Sequence, residues 1–218
     1  MAILKQGSIG VFTGKIGALV IVKWKDKYVG KSKPKSVSKK TAVLLDAQQS
    51  KFRIAGKFLR MVQSVVHFSF QKVPKKMNAM NYAMLYNLKH SISGMYPDFG
   101  MDYARVKLSE PADYTTEIDN GFNVSGMASG KKIKISWEAD ELPEYDGTKP
   151  TDRIYSFIYH HGKKIFINPI PPQRSELGLE VNLPSAFDNK VHVWIFFASE
   201  DHKFVSQTQY LGEFNVEN

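Results

Sequence analysis

The sequence predicts an α+β fold: an N-terminal β-hairpin with two helices over residues 1–100, then an all-β antiparallel sandwich over residues 101–218. Three observations carry that prediction. An apolar, β-branched run from Ala18 to Val22 leads through Trp24 into Lys25, Asp26 and Lys27, and then Tyr28 and Val29. Apolar residues recur at helical spacing between Thr41 and Ser93, and from residue 102 they alternate instead. Charge divides the chain in the same direction, with net values of +12 over residues 1–60, +3 over 61–110 and −6 over 111–218. Such a split marks a basic module that meets polyanions or acidic protein, joined to an ordinary solvated domain.

The first stretch is punctuated by Gly7, Gly10, Gly14 and Gly17. These suit close backbone approach or positive φ, and they do not form a phosphate loop. That loop needs four residues between its glycines and a Ser or Thr after its lysine, whereas Gly10 and Gly14 enclose three and Ile16 follows Lys15. Residues 18–24 and 27–31 read as two strands joined by a turn of about three residues. A lone hairpin is marginal in water, so it is expected to pack on the helices that follow. Pro34 pushes Lys33 out of the helical region and marks an extended exit.

Ser38 or Thr41 can cap the next element. From Thr41 to about Phe70, Leu45, Phe52, Ala55, Leu59, Val62 and Val66 form one helical stripe, while Gln48, Lys51, Lys57 and Gln63 occupy other faces. The β-branched and aromatic end, Val65 to Phe70, suits a strand equally well, and Pro74 ends the element. A second helix is predicted from Asn78 to Ser93, with Gly94 as its stop and Pro97 beyond. Its stripe of Met77, Met80, Met84, Leu88 and Ile92 is expected to face the first helix and the hairpin. Beyond residue 102 the predicted strands are 104–108, 133–137, 153–161, 164–167, 177–183, 191–199 and 204–211. Gly, Pro, Asn and Asp separate them. The boundary between the two halves is placed between residues 95 and 110.

The segment Ile133 to Trp137, with Tyr155 and Tyr159 about twenty residues later, resembles the second and third strands of a fibronectin type III or related immunoglobulin-like domain. Leu183 and Pro184, then Val191 to Ala198, resemble the approach to a late central strand, and 204–211 the closing one. The resemblance implies a sandwich fold and no particular activity, because that fold hosts many roles. Trp137 reads as a core residue.

The N-terminal half carries a second resemblance through Gly7 and Gly10, Gly14, Lys15 and Gly17, Trp24, Lys33 with Pro34 and Ser36, Thr41, and Gln48 or Gln49 with Arg53. With Tyr96, Pro97, Asp102 and Tyr103, it is similar to an uncharacterised domain-of-unknown-function family of Bacteroidota-type bacteria over nearly the whole chain. It is also similar to N-terminal modules of phage and prophage structural proteins. Ala42 stands where proline is the commoner residue after the threonine. The resemblance implies no chemistry.

Enzymatic chemistry finds little to work with. Cysteine is absent, which removes disulfides, thiolate metal sites and cysteine nucleophiles. No histidine pair has the i, i+4 spacing around a glutamate that zinc proteases use, and His160 and His161 point to opposite faces of their strand. The acidic run Glu138, Asp140, Glu141, Glu144 and Asp146 lacks the spacing and central glycine of a calcium loop and reads as a solvated connection. No serine sits in a nucleophile elbow. We therefore expect no enzyme, no cofactor and no metal. The run Ile16 to Val22 is too short to span a bilayer or to form a leader's core. A cytoplasmic protein, or a virion or other particle component assembled in the cytoplasm, is expected, with no membrane partner.

What remains is docking. The candidate residues are Lys23, Trp24, Lys25, Lys27, Tyr28, Lys31, Lys33, Lys35, Lys39 and Lys40, on the hairpin and its exit. The first expectation is a non-enzymatic structural or assembly protein that meets a protein partner, or copies of itself, through this hairpin. The alternative is nonspecific nucleic-acid binding, with these lysines on phosphates and Trp24 and Tyr28 on bases. A receptor- or sugar-binding role for the sandwich loops is a third.

Overall fold

The computed structural model describes residues 2–4, 13–33, 39–139, 141–167, 169–187 and 189–216. Gly7, Gly10, Pro34 and Ser38 lie outside the described residues, as does Lys35. The chain divides into two compact units, Met1–Asp46 and Ala47–Asn218.

In the first unit the predicted hairpin is the centre of a four-stranded antiparallel sheet. Its strands are β1 (Ala2–Leu4), β2 (Gly14–Ile16), β3 (Leu19–Trp24) and β4 (Lys27–Ser32), in the order β1-β4-β3-β2. The turn between β3 and β4 has two residues, not three, because Trp24 pairs directly with Lys27. Lys25 takes positive φ there. Gly17 also has positive φ, 54°, in the two-residue turn from β2 to β3, where a glycine at the first central position matches the twist of a hairpin. Short strand β2 was not legible beforehand, since three residues cannot show an alternation.

The long predicted helix is two: α1 (Lys39–Met61) and α2 (Gln63–Ser69), which meet at the buried Val62. Val65 to Ser69 stay helical, and the backbone becomes extended at Phe70. The second helix is α3 (Ala79–His90), capped by Asn78, whose Oδ1 accepts the Asn81 N–H at 2.8 Å. Of the methionine stripe, Met84 packs against the first helix, its Cε 3.4 Å from where a Cβ at Gly56 would stand, whereas Met77 is exposed and the fully buried positions of α3 are Ala83 and Asn87. A small hairpin, β5 (Ile92–Ser93) and β6 (Gly100–Met101), follows.

Residues 104–108, expected to form a strand, do not. Tyr103–Arg105 is a 3-10 turn, and the segment beyond it bonds to side chains instead of a sheet. Buried Asn87 donates to Lys107 O and Ala83 O, both at 2.9 Å, and accepts from Lys107 N–H and Ser91 Oγ, both at 3.0 Å. That exhausts the amide's capacity. Thr208 Oγ1 accepts the Leu108 and Ser109 N–H groups at 2.8 and 2.7 Å. Val106 and Leu108 are buried all the same, so the apolar alternation recorded burial without a ladder.

Seven strands follow: β7 (Phe122–Ser129), β8 (Lys132–Glu138), β9 (Arg153–His160), β10 (Ile165–Ile167), β11 (Gly178–Asn182), β12 (Asn189–Ala198) and β13 (Gln209–Val216). They form two antiparallel sheets, β10-β9-β12-β13 and β11-β8-β7. One core lies between the sheets, with Ile133, Ile135 and Trp137 of β8 against Val193, Ile195 and Phe197 of β12. A second core lies on the other face of the four-stranded sheet, where Phe157, Trp194 and Phe196 meet Phe58, Leu59 and Val66 of the helices. Strand β12 is apolar on both faces for that reason, with every residue from Val191 to Ala198 buried. The apolar core runs across residue 100 without a break, so the helices from residue 47 on and the strands form one body.

A bulge between Val193 and Trp194 shifts the register of β13 and brings Tyr210 beside Trp194 on the helix side. There Tyr210 Oη lies 2.8 Å from His192 Nδ1, and the Tyr103 ring stacks on His192 at 4.1 Å. Burial lowers the His192 pKa, Glu213 raises it, and His161 and Lys190 lower it further. A histidine pKa depressed by folding contributes stability above the unfolded value of about 6.5, which is lost as pH falls toward the folded value. The urea midpoint of the native chain should therefore fall more steeply between pH 7 and pH 5 than that of His192→Asn. Equal slopes would show that His192 carries no such linkage.

Candidate docking surface

The first unit's sheet sorts the candidate residues onto two faces by register alone. Trp24 opposite Lys27, Val22 opposite Val29, and Val20 opposite both Lys31 and Lys15 share one face. Lys23 opposite Tyr28, Ile21 opposite Gly30, and Leu19 opposite both Ser32 and Ile16 share the other. The first face is cationic around an indole. The second is mostly apolar, with Lys23 near its end.

Among the described residues of this sheet, Ile21 and Val29 are buried, at 8% and 5% exposure, together with the backbone of Gly30. Trp24 is 61% exposed, and Ile16, Leu19 and Val22 are also open to solvent. Lys25 sits at the tip with Nζ 5.1 Å from the Trp24 ring centroid, a cation–π contact. Lys23, Lys25, Lys27, Lys31, Lys33 and Lys39 are exposed, and Tyr28 is half-buried. Lys33 follows the sheet directly, its N–H donating to Ala18 O at 2.7 Å. Lys39 and Lys40 fall in the first turn of α1.

Sequence reasoning treated the lysines as one cluster, whereas the sheet separates Lys23 from Lys27 and Lys31. It also missed the apolar members. Ile16 and Leu19 counted only as members of an apolar run, and Val43 and Leu44 drew no attention. Yet Val43, Leu44 and Leu45 at the start of α1 are all exposed, Leu44 by 64%. Three consecutive apolar residues cannot all face one side of a helix at 100° per residue, and that was the available signal. Leu45, assigned beforehand to the core stripe, is exposed with Phe52. The stripe becomes buried from Ala55 on.

Among the described residues strand β2 is an edge of this sheet, with β3 as its one neighbour. Among the described residues no group of three His, Asp or Glu side chains is placed to hold a metal ion. His160, the last residue of β9, is buried against Phe187 at 5.0 Å, whereas His161 lies in the turn beyond the strand and is exposed. Among the described residues no helix is long and apolar enough to cross a membrane.

Fold and surface together define the class: an α+β chain with a small basic sheet, studded with exposed apolar side chains, ahead of a helix-backed pair of antiparallel sheets. The chain belongs to a family of unknown function, DUF6266, whose match spans residues 11–212 and so takes in both units. No curated protein and no solved structure matches it.

Proposed function

We propose that this protein is a non-enzymatic assembly component, a subunit of a phage-like virion or other multimeric particle, that docks on further copies of itself through its N-terminal sheet. The observation that carries the reading is the exposure of Trp24, Leu19, Ile16 and Val22 beside lysines, on a sheet with an open edge. Isolated apolar residues on a surface need no explanation, but Trp24 and Val22 exposed on one face and Leu19 and Ile16 on the other leave each face of this small sheet with apolar surface for a contact. A strand edge adds backbone hydrogen bonds to such a contact. The similarity to phage structural modules and to the Bacteroidota-type family belongs to the same proposal.

The second unit supplies the rigid body. The sheet orders β11-β8-β7 and β10-β9-β12-β13 support the immunoglobulin or fibronectin type III reading, as they correspond to E-B-A and C′-C-F-G. Trp137 on β8 fits that reading as the core residue between sheets, 5.8 Å from Phe197.

Sedimentation velocity of the full chain tests the proposal. Species larger than a monomer should grow with concentration, and Trp24→Ser combined with Leu19→Ser should return the chain to a monomer. A monomer at every concentration sinks the reading. The cationic face, Lys15, Lys27 and Lys31 around Trp24, favours nucleic acid as a second reading. It requires binding to DNA that weakens steeply between 50 and 200 mM salt. No binding at low salt removes it.

A further inference from the structure

Away from the N-terminal sheet, the second unit contains a cleft of about 520 Å³ between one face of α1, strand β6 and the turn after β9. Its apolar lining includes the buried rings of Phe58 and Tyr159, which pack edge-on at 5.3 Å, and the half-buried Tyr103 and Met101. Its rim is cationic. Arg53 and Lys57, one turn apart on α1, and Lys164 across the opening are all exposed. Among the described residues no carboxylate lines the cleft, and none of these three cations has an ion-pair partner. A third feature is polar: the Tyr103 hydroxyl, whose pKa burial raises, lies 2.6 Å from His161 Nδ1 at the wall. The volume falls within the 300–1,000 Å³ of small-molecule sites, which join an apolar lining to a few convergent polar groups.

We propose that this cleft binds a small amphiphilic carboxylate, with its apolar body on Phe58, Tyr159 and Met101 and its head between Arg53 and Lys57. An apolar floor alone accepts any greasy molecule. The three cations around it select an anion, because a neutral ligand offers them no charge while a carboxylate receives charge-assisted hydrogen bonds. Arg53 supplies a planar fork for that contact and Lys57 a point charge.

Isothermal titration of the full chain with decanoate, and with decanol as the uncharged control, tests the proposal. Saturable 1:1 binding of decanoate is expected, at least tenfold tighter than decanol. Arg53→Glu with Lys57→Glu should weaken decanoate at least tenfold and leave decanol unchanged. Both positions are exposed, so circular dichroism of the double variant should match the native chain. Absence of saturable decanoate binding overturns the proposal, as does equal affinity for the two probes or an affinity that survives the charge reversal in a folded variant. None of these outcomes depends on whether the chain assembles through its N-terminal sheet.

Discussion

Trp194→Ala is expected to cost about 3–5 kcal/mol of folding stability, whereas Trp24→Ala should change it by no more than about 0.5 kcal/mol. Trp194 is fully buried at the centre of the four-stranded sheet. Its ring stands 5.8 Å from Phe58 and 5.5 Å from Tyr210, and its Nε1–H donates to Tyr103 O at 3.0 Å. Truncation removes the apolar surface, opens a cavity and leaves that carbonyl without its donor, three losses that reinforce one another. Loss of that size lowers the midpoint of thermal unfolding by roughly 6–20 °C in a chain of this length. Trp24 lies exposed in the small sheet, so its removal gives up little packing. Calorimetry on the two variants separates a core indole from an exposed one. A Trp194→Ala midpoint within a degree or two of the native value would contradict the continuous core described for the second unit.

Arg174→Ala is expected to cost a similar amount, about 3–5 kcal/mol, for an electrostatic reason. The guanidinium is buried over the Phe197 ring at 4.0 Å, with Nε 3.5 Å from Asp152 Oδ2. Its Nη2 and Nη1 donate to Asp119 O at 2.5 Å and Asn120 O at 3.3 Å. The same residue's own carbonyl accepts the Trp137 Nε1–H at 2.7 Å. One side chain therefore ties three loops to the core between the sheets. Its removal leaves Asp152 as a buried carboxylate without its cation.

Burial already raises the Asp152 pKa, against the lowering from the Lys149 N–H and the Arg174 charge. A raised carboxylate pKa means that stability is fully present below the unfolded value, near 3.8, and declines as pH climbs through the folded value. Without Arg174 the folded value climbs further, so the variant's deficit should be larger at pH 7.5 than at pH 4.5. Urea titrations at the two pH values measure this. A deficit independent of pH would assign the loss to packing and not to charge. Arg174→Lys should lose less than Arg174→Ala, because a single ammonium can hold one of the partners but not all.

Strong periodicity carried much of the fold. The helical stripe from Ala55 to Val66 and the alternation from Ile133 to Trp137 each bury the residues they named. Strand β7 went unrecognised because its side chains are exposed or half-buried throughout, and Gly126 interrupts the pattern. The Phe214 ring fills the space that a larger side chain at Gly126 would need, with Cζ 2.7 Å from the position of a Cβ. Residues 104–108 mislead in the opposite direction, because burial by side-chain hydrogen bonds imitates a strand. The lysines of the proposed docking surface were legible as charge, but their division between two faces depends on β2 and on a two-residue turn, which three-residue strands do not announce. The cleft was illegible for a different reason. Its cations lie on α1 and after β9, and its rings come from residues 58, 103 and 159, which only tertiary packing brings together.

Hydrogen exchange on the intact chain, followed over a hundredfold range of concentration, tests the docking account most directly. Amides of residues 14–24 should become protected as concentration rises, while protection in the cores around Ile133 to Trp137 and Val191 to Ala198 stays constant. If association occurs and the new protection falls instead on the strands of residues 122–216, with 14–24 unchanged, then the N-terminal sheet is not the docking surface.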